Sequence, residues 1–148
     1  MMAALKNYTT DVPVIKTVNE IHLLLAQAGA KKIMFDYADS GELCGIMFSI
    51  LTPNGERGVK LPSNADRVQA VLRQQKQDPK NRNRGAIDDS KEQAERVAWR
   101  VVKDWVAAQL AILQTQMVDI EQVFLPYFCN NHGQTVYELY RNNQLMLE

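Results

Sequence analysis

The 148-residue chain is poor in cysteine and histidine and has no surplus of either charge, and each shortage removes a class of protein. Its two cysteines, Cys44 and Cys129, are too few for the disulfide framework of a small extracellular scaffold and read as free thiols of a reducing compartment. With only two histidines a structural zinc has no spare ligands: Cys129 and His132 have half-site spacing, but Cys44 and a helical His22 would have to complete it. Seventeen basic residues balance seventeen acidic ones, so net charge by itself demands no polyanionic partner. No window approaches eighteen consecutive apolar residues, and the start MMAALKNYTTDVP lacks a charged head followed by a long apolar run. Neither a membrane span nor a secretory leader is therefore expected.

Signatures of chemistry are missing too. Neither G-x-x-x-x-G-K nor G-x-G-x-x-G occurs, and no histidine stands beside a serine or cysteine in an elbow-like context. Asp36, Asp39 and Glu42 could offer oxygen ligands to a divalent cation, but a solvated turn explains them as well, and no lysine stands where a metal-dependent nuclease would need one. The expectation is a non-enzymatic protein without a metal or other cofactor.

What the chain does have is a long apolar stretch from Ala94 to Met117, read as one central helix. Val97, Val101, Trp105, Ala108 and Ile112 lie on one face, with Val102, Val106 and Leu113 widening it, so the helix should be buried on more than one side, Trp105 in the core. Ser90 followed by Gln93 fits a capping box at its start. Arg96, Arg100 and Lys103 leave one narrow polar stripe. Upstream, Val14, Ile15, Val18, Ile21, Leu24, Leu25 and Ala28 recur at helical spacing between an Asp11 cap and Gly29.

KKIMFDYA then alternates as a half-buried strand; ELCGIMFSILT, apolar on both faces, reads as a middle strand; and ERGVKL, after the Pro53-Asn54-Gly55 turn, reads as a charged edge strand. Phe35, Tyr37 and Phe48 fall in these strands as core residues, although aromatics on an open sheet can also stack on unpaired bases. Ser63 or Asn64 can cap a short helix through Leu72. After the central helix, Asp119 with Gln122 caps VDIEQVFL, which Pro126 ends, and TVYELYRNNQLMLE reads as helix. The predicted fold is α+β: a three-stranded antiparallel meander packed on a long central helix, with an N-terminal helix and short C-terminal helices, in one domain over residues 1–148.

Charge is balanced overall and lopsided locally. Between Pro53 and Arg84 stand eight basic residues against three acidic ones, and the polar stretch 74–87 reads as a flexible basic loop. Arg73, Lys76, Lys80, Arg82 and Arg84, continued by Arg96, Arg100 and Lys103, are the candidate nucleic-acid-binding residues, able to meet backbone phosphate without reading sequence. A solvated loop that merely keeps the protein soluble is the plainer alternative.

The motifs Ala98-Trp-Arg-x-x-Lys-Asp-Trp105, Ala108-Gln109, Phe124-Leu-Pro-Tyr127 and Thr135-x-Tyr137 resemble a family of small, uncharacterised phage and prophage proteins of Gram-positive bacteria. That resemblance implies the cytoplasm of a host cell and the company of replication and recombination functions. Helix, three strands and helix over residues 12 to 76 is also similar in order to double-stranded-RNA-binding domains, and three strands followed by a long helix to single-strand annealing proteins, as analogies of order. Two readings follow: a nucleic-acid-binding accessory protein of phage replication or recombination, on single- or double-stranded DNA and with a homo-oligomer possible, or a protein-interaction module that inhibits a host enzyme or defence protein through an apolar patch around Trp99 or Phe124–Tyr127.

Overall fold

The computed structural model describes residues 4–143. The elements run α1 (Val14–Gln27), β1 (Lys32–Tyr37), β2 (Leu43–Thr52), β3 (Gly55–Lys60), α2 (Ala65–Gln77), α3 (Lys91–Gln114), α4 (Ile120–Phe124), β4 (Phe128–Cys129) and α5 (Val136–Arg141), with 3₁₀ turns at Arg84–Ala86 and Leu125–Tyr127. This is the α+β class, with a long helix α3 of 24 residues, about 36 Å. No helix among the described residues is long and apolar enough to cross a membrane.

The chain divides into two compact units. One comprises 1–21 and 63–105, the other 22–62 and 106–148, so α1 and α3 each supply residues to both.

In the second unit the sheet order is β1-β2-β3-β4, all neighbours antiparallel. Four strands replace the expected three, because Phe128 and Cys129 pair with Val59 and Gly58. β3 is therefore an inner strand and not the edge that its charges suggested. Period-two alternation puts Ile46, Phe48, Ile50 and Thr52 of β2 on the buried face. Ile33, Phe48, Val59 and Phe128 form one continuous row across all four strands, and Phe124 meets Phe48 edge-on at 5.6 Å. The opposite face is half open, with Leu51 exposed. Of the strand aromatics, Phe48 is buried, Phe35 is half-buried against His22, and Tyr37 is exposed.

Local capping follows the sequence at most helix ends; at α1 the Pro13 carbonyl accepts the first helical bond, from the Thr17 N–H, so Pro13 and not Asp11 holds the cap position. The N–H of Ala30 donates to the Leu25 carbonyl and that of Gly29 to Ala26, with Gly29 at φ +93°, the left-handed helix stop that glycine makes cheap. Asp119 and Gln122 form the reciprocal capping box of α4. Thr135 caps α5 by accepting from the Glu138 N–H; the expected helix continues into residues 144–148, which lie outside the described residues.

α3, which begins in the first unit and ends in the second, starts three residues earlier than expected and ends three earlier. Ser90 Oγ accepts from the Gln93 N–H, as a cap should. The box is not reciprocal, because the Gln93 side chain is 5 % exposed and donates to the Tyr8 and Thr10 carbonyls, tying down the N-terminal segment. The buried face of α3 is also shifted from the predicted one. Trp99 is 1 % exposed, whereas Trp105 and Val101 are half-buried and Ala108 is exposed, so Trp99 and not Trp105 is the core tryptophan.

Candidate nucleic-acid interface

All eight predicted cations lie in the first unit, on α2, on the 78–90 connection and on the first half of α3. Asn64 caps α2 through its side chain, which accepts from the Arg67 N–H. The helix runs to Gln77, since Gln74–Gln77 are good helix formers, and stops at Asp78, which is extended because Pro79 follows. The first four residues of the expected loop are therefore helical, and Arg73 and Lys76 stand on a rigid helix.

The connection that follows is held at both ends. Ile87 is 3 % exposed and belongs to a buried cluster with Leu72 and Ala94, packed round by Leu5, Tyr8 and Val68. Lys76 Nζ donates to the Ile87 carbonyl at 2.6 Å, and Asn81 Nδ2 donates to the Gln75 carbonyl at 3.0 Å. Asp78 Oδ1 accepts from the Lys80 N–H, and Asn81 Oδ1 from the Asn83 N–H, the side-chain turns that Asp and Asn favour. These ties spend both ends of the Asn81 side-chain amide on the chain's own backbone.

Partners divide the cations into two sets. Arg73, Lys80, Arg82 and Arg84 are exposed, and among the described residues their side chains have no acidic partner. Two cations of the α3 stripe are engaged. Arg100 pairs with Glu20 at 2.5 Å and reaches Thr17 Oγ1 at 3.4 Å; Arg96 Nε donates to Gln93 Oε1 at 2.8 Å. Lys103 is half-buried beside Asp104, whose carboxylate pairs with Lys6 at 3.0 Å and accepts from Asn7 Nδ2. The two sets meet at one point. The Asp88 carboxyl is held below its ordinary range, first by the Ser90 backbone and side-chain hydrogen bonds and then by the charges of Arg96 and Lys76. An α2 cation and an α3 cation thus share one exposed carboxylate.

The remaining candidates are dispersed. His22 stacks on Phe35 with ring centroids 6.4 Å apart, Cys129 is in β4 and Cys44 is exposed in β2. Burial pushes the Cys129 thiol up, which makes it a poorer nucleophile and ligand. Among the described residues no three acidic, cysteine or histidine side chains are placed to hold a metal ion. Trp99 is buried, which removes it as the centre of an apolar patch, and of the Phe124–Tyr127 stretch Phe124 is buried while Leu125 is exposed. Among the described residues the exposed large apolar side chains of the second unit are Leu23, Met34, Leu51, Met117 and Leu125, together with Tyr37, Ile112 and two tyrosines of α5.

Comparison of the chain with protein-family models, curated proteins and solved structures finds no match.

Proposed function

We propose that the protein is a non-enzymatic nucleic-acid-binding accessory protein, of the kind that serves phage replication or recombination in a host cytoplasm. The observation that supports this reading is the set of four exposed, acid-free cations, Arg73, Lys80, Arg82 and Arg84, on a helix end and a connection tethered by buried Ile87. Fixing the connection's two ends lowers the entropy lost when it meets a phosphate backbone, while the side chains keep their reach. Lys76 and Arg96 flank this set and contribute long-range attraction partly offset by Asp88. Arg100 has a structural role in this reading.

Four phosphate contacts on a duplex give a slope of log affinity against log salt of about −3.6, a loss of roughly a hundred-fold between about 50 and 200 mM. Fluorescence anisotropy with labelled single- and double-stranded DNA measures it. Absence of binding at the lower salt refutes the proposal.

A second reading, a module that binds and inhibits a host enzyme or defence protein, draws on a different feature. Leu24, Ala28, Ala107, Ala111, Leu113 and Ile120 of the second unit, with Gln27 and Gln114, line a groove of about 460 Å³. A stoichiometric protein partner from host lysate, retained at high salt after nuclease treatment, favours this reading over the first.

A further inference from the structure

The free edge of the sheet is β1, and its sequence is self-complementary. Among the described residues no other strand pairs with it on its outer side. The Leu61 N–H donates to the Ile46 carbonyl, so the even-numbered residues of β2 direct their backbone groups toward β3, and Gly45, Met47 and Ser49 direct theirs toward β1. These three face Asp36, Met34 and Lys32. The N–H and C=O groups of Ile33 and Phe35 consequently point away from the sheet, as a template for another strand.

We propose that this partner strand is β1 of a second copy of the chain. It runs antiparallel about a two-fold axis at Met34 and joins two four-stranded sheets into one. In this register Ile33 faces the partner copy's Phe35, and both residues direct their free backbone groups into the seam, giving four hydrogen bonds round the axis. Lys32 then stands opposite the Asp36 of the other copy, twice. Centring the pair on Ile33 or Phe35 instead also aligns outward backbone groups but leaves Lys32 and Asp36 opposite uncharged residues. Charge therefore selects both the occupant and the register. Lys32 is 79 % exposed and lies only loosely, at 3.6 Å, from Glu56, so it remains available to a second carboxylate. Met34 and Tyr37, 52 % and 61 % exposed, lose water along the seam.

Sedimentation of the full chain should show a dimer. Asp36→Lys turns two attractions into two repulsions and should raise the dimer Kd roughly ten-fold, and adding Lys32→Asp should restore it. In a Cys44→Ser/Cys129→Ser background, Met34→Cys faces its own copy at about 4.5 Å between Cα atoms, within disulfide reach. It should cross-link on mild oxidation, whereas Leu51→Cys, on the same face and equally accessible, should not. All these positions are exposed or half-buried, so folding is preserved and circular dichroism verifies it. A monomer at about 100 μM overturns the proposal, including one whose β1 instead captures a segment of another protein. So does a dimer that Asp36→Lys leaves intact, a swap that fails to rescue, or equal cross-linking of the two cysteine variants.

Discussion

Arg82 and Arg100 are the same residue type in the same unit, eighteen positions apart, and the fold uses them in opposite ways. Arg100 is only 18 % exposed at the side chain, and its Nη1 is taken by Glu20 and Thr17. Arg82 stands on a connection that is anchored by Ile87 and two hydrogen bonds but leaves its own guanidinium in water. A partly buried guanidinium has to be paired because desolvating it alone is costly, whereas an exposed one can wait for an external anion. Cationic count therefore overstates the surface open to a ligand, and the acid-free subset is the better measure of it.

The largest effect is expected where the cations are free. Lys80→Ala, Arg82→Ala and Arg84→Ala together remove three phosphate contacts and should lower the magnitude of the salt slope by about 2.7, with a low-salt loss of affinity on the order of a hundred-fold. Unfolding stability should shift by no more than about 0.5 kcal/mol, as for surface substitutions generally. Anisotropy and urea unfolding on the same samples separate the two; a triple variant that keeps the wild-type slope breaks the distinction.

Arg100→Ala should give the reverse. It strips a charged hydrogen bond from Glu20 and a donor from the fully buried Thr17. Such a bond contributes about 1.5–3 kcal/mol, reduced here to about 1–2 because Glu20 still meets water. Nucleic-acid affinity should stay within about two-fold once the protein is folded, since no phosphate contact is lost. Loss of affinity as large as that of the triple variant would return Arg100 to the binding set.

This division was only partly legible in the sequence. Caps are local signals, so Gly29, Asn64, and Asp119 with Gln122 stand where turn chemistry put them. The position of the basic residues was equally plain. What escaped were pairings between distant positions. Glu20 and Arg100 are eighty residues apart, and nothing in either segment marks the pair. β4 is two residues long, too short to alternate, and exists only because Gly58 and Val59 offer it an edge. In α3 the apolar residues run almost all round, so periodicity could not choose between Trp99 and Trp105. Gln93 fitted a capping box locally and was claimed instead by the Tyr8 and Thr10 carbonyls.

The smallest expected effect tests the point where the two sets of cations meet. Asp88 is near-fully exposed, yet its carboxyl lies below the ordinary value of 3.8, first through the Ser90 hydrogen bonds and then through Arg96 and Lys76. A group whose pKa is lowered by folding stabilises the fold above its unfolded value and loses that contribution as pH falls through the folded value. Asp88→Asn keeps an oxygen that accepts from the Ser90 N–H while deleting the charge. Stability should then vary slightly less between about pH 5 and pH 3 than in the wild type. At neutral pH the same variant relieves Lys76 and Arg96 of a competing anion and should tighten DNA binding by a few-fold at low salt, with the difference vanishing as salt screens it. Unchanged or weaker binding would mean that these two cations lie outside the reach of the phosphate backbone and that the free set on Arg73, Lys80, Arg82 and Arg84 acts alone.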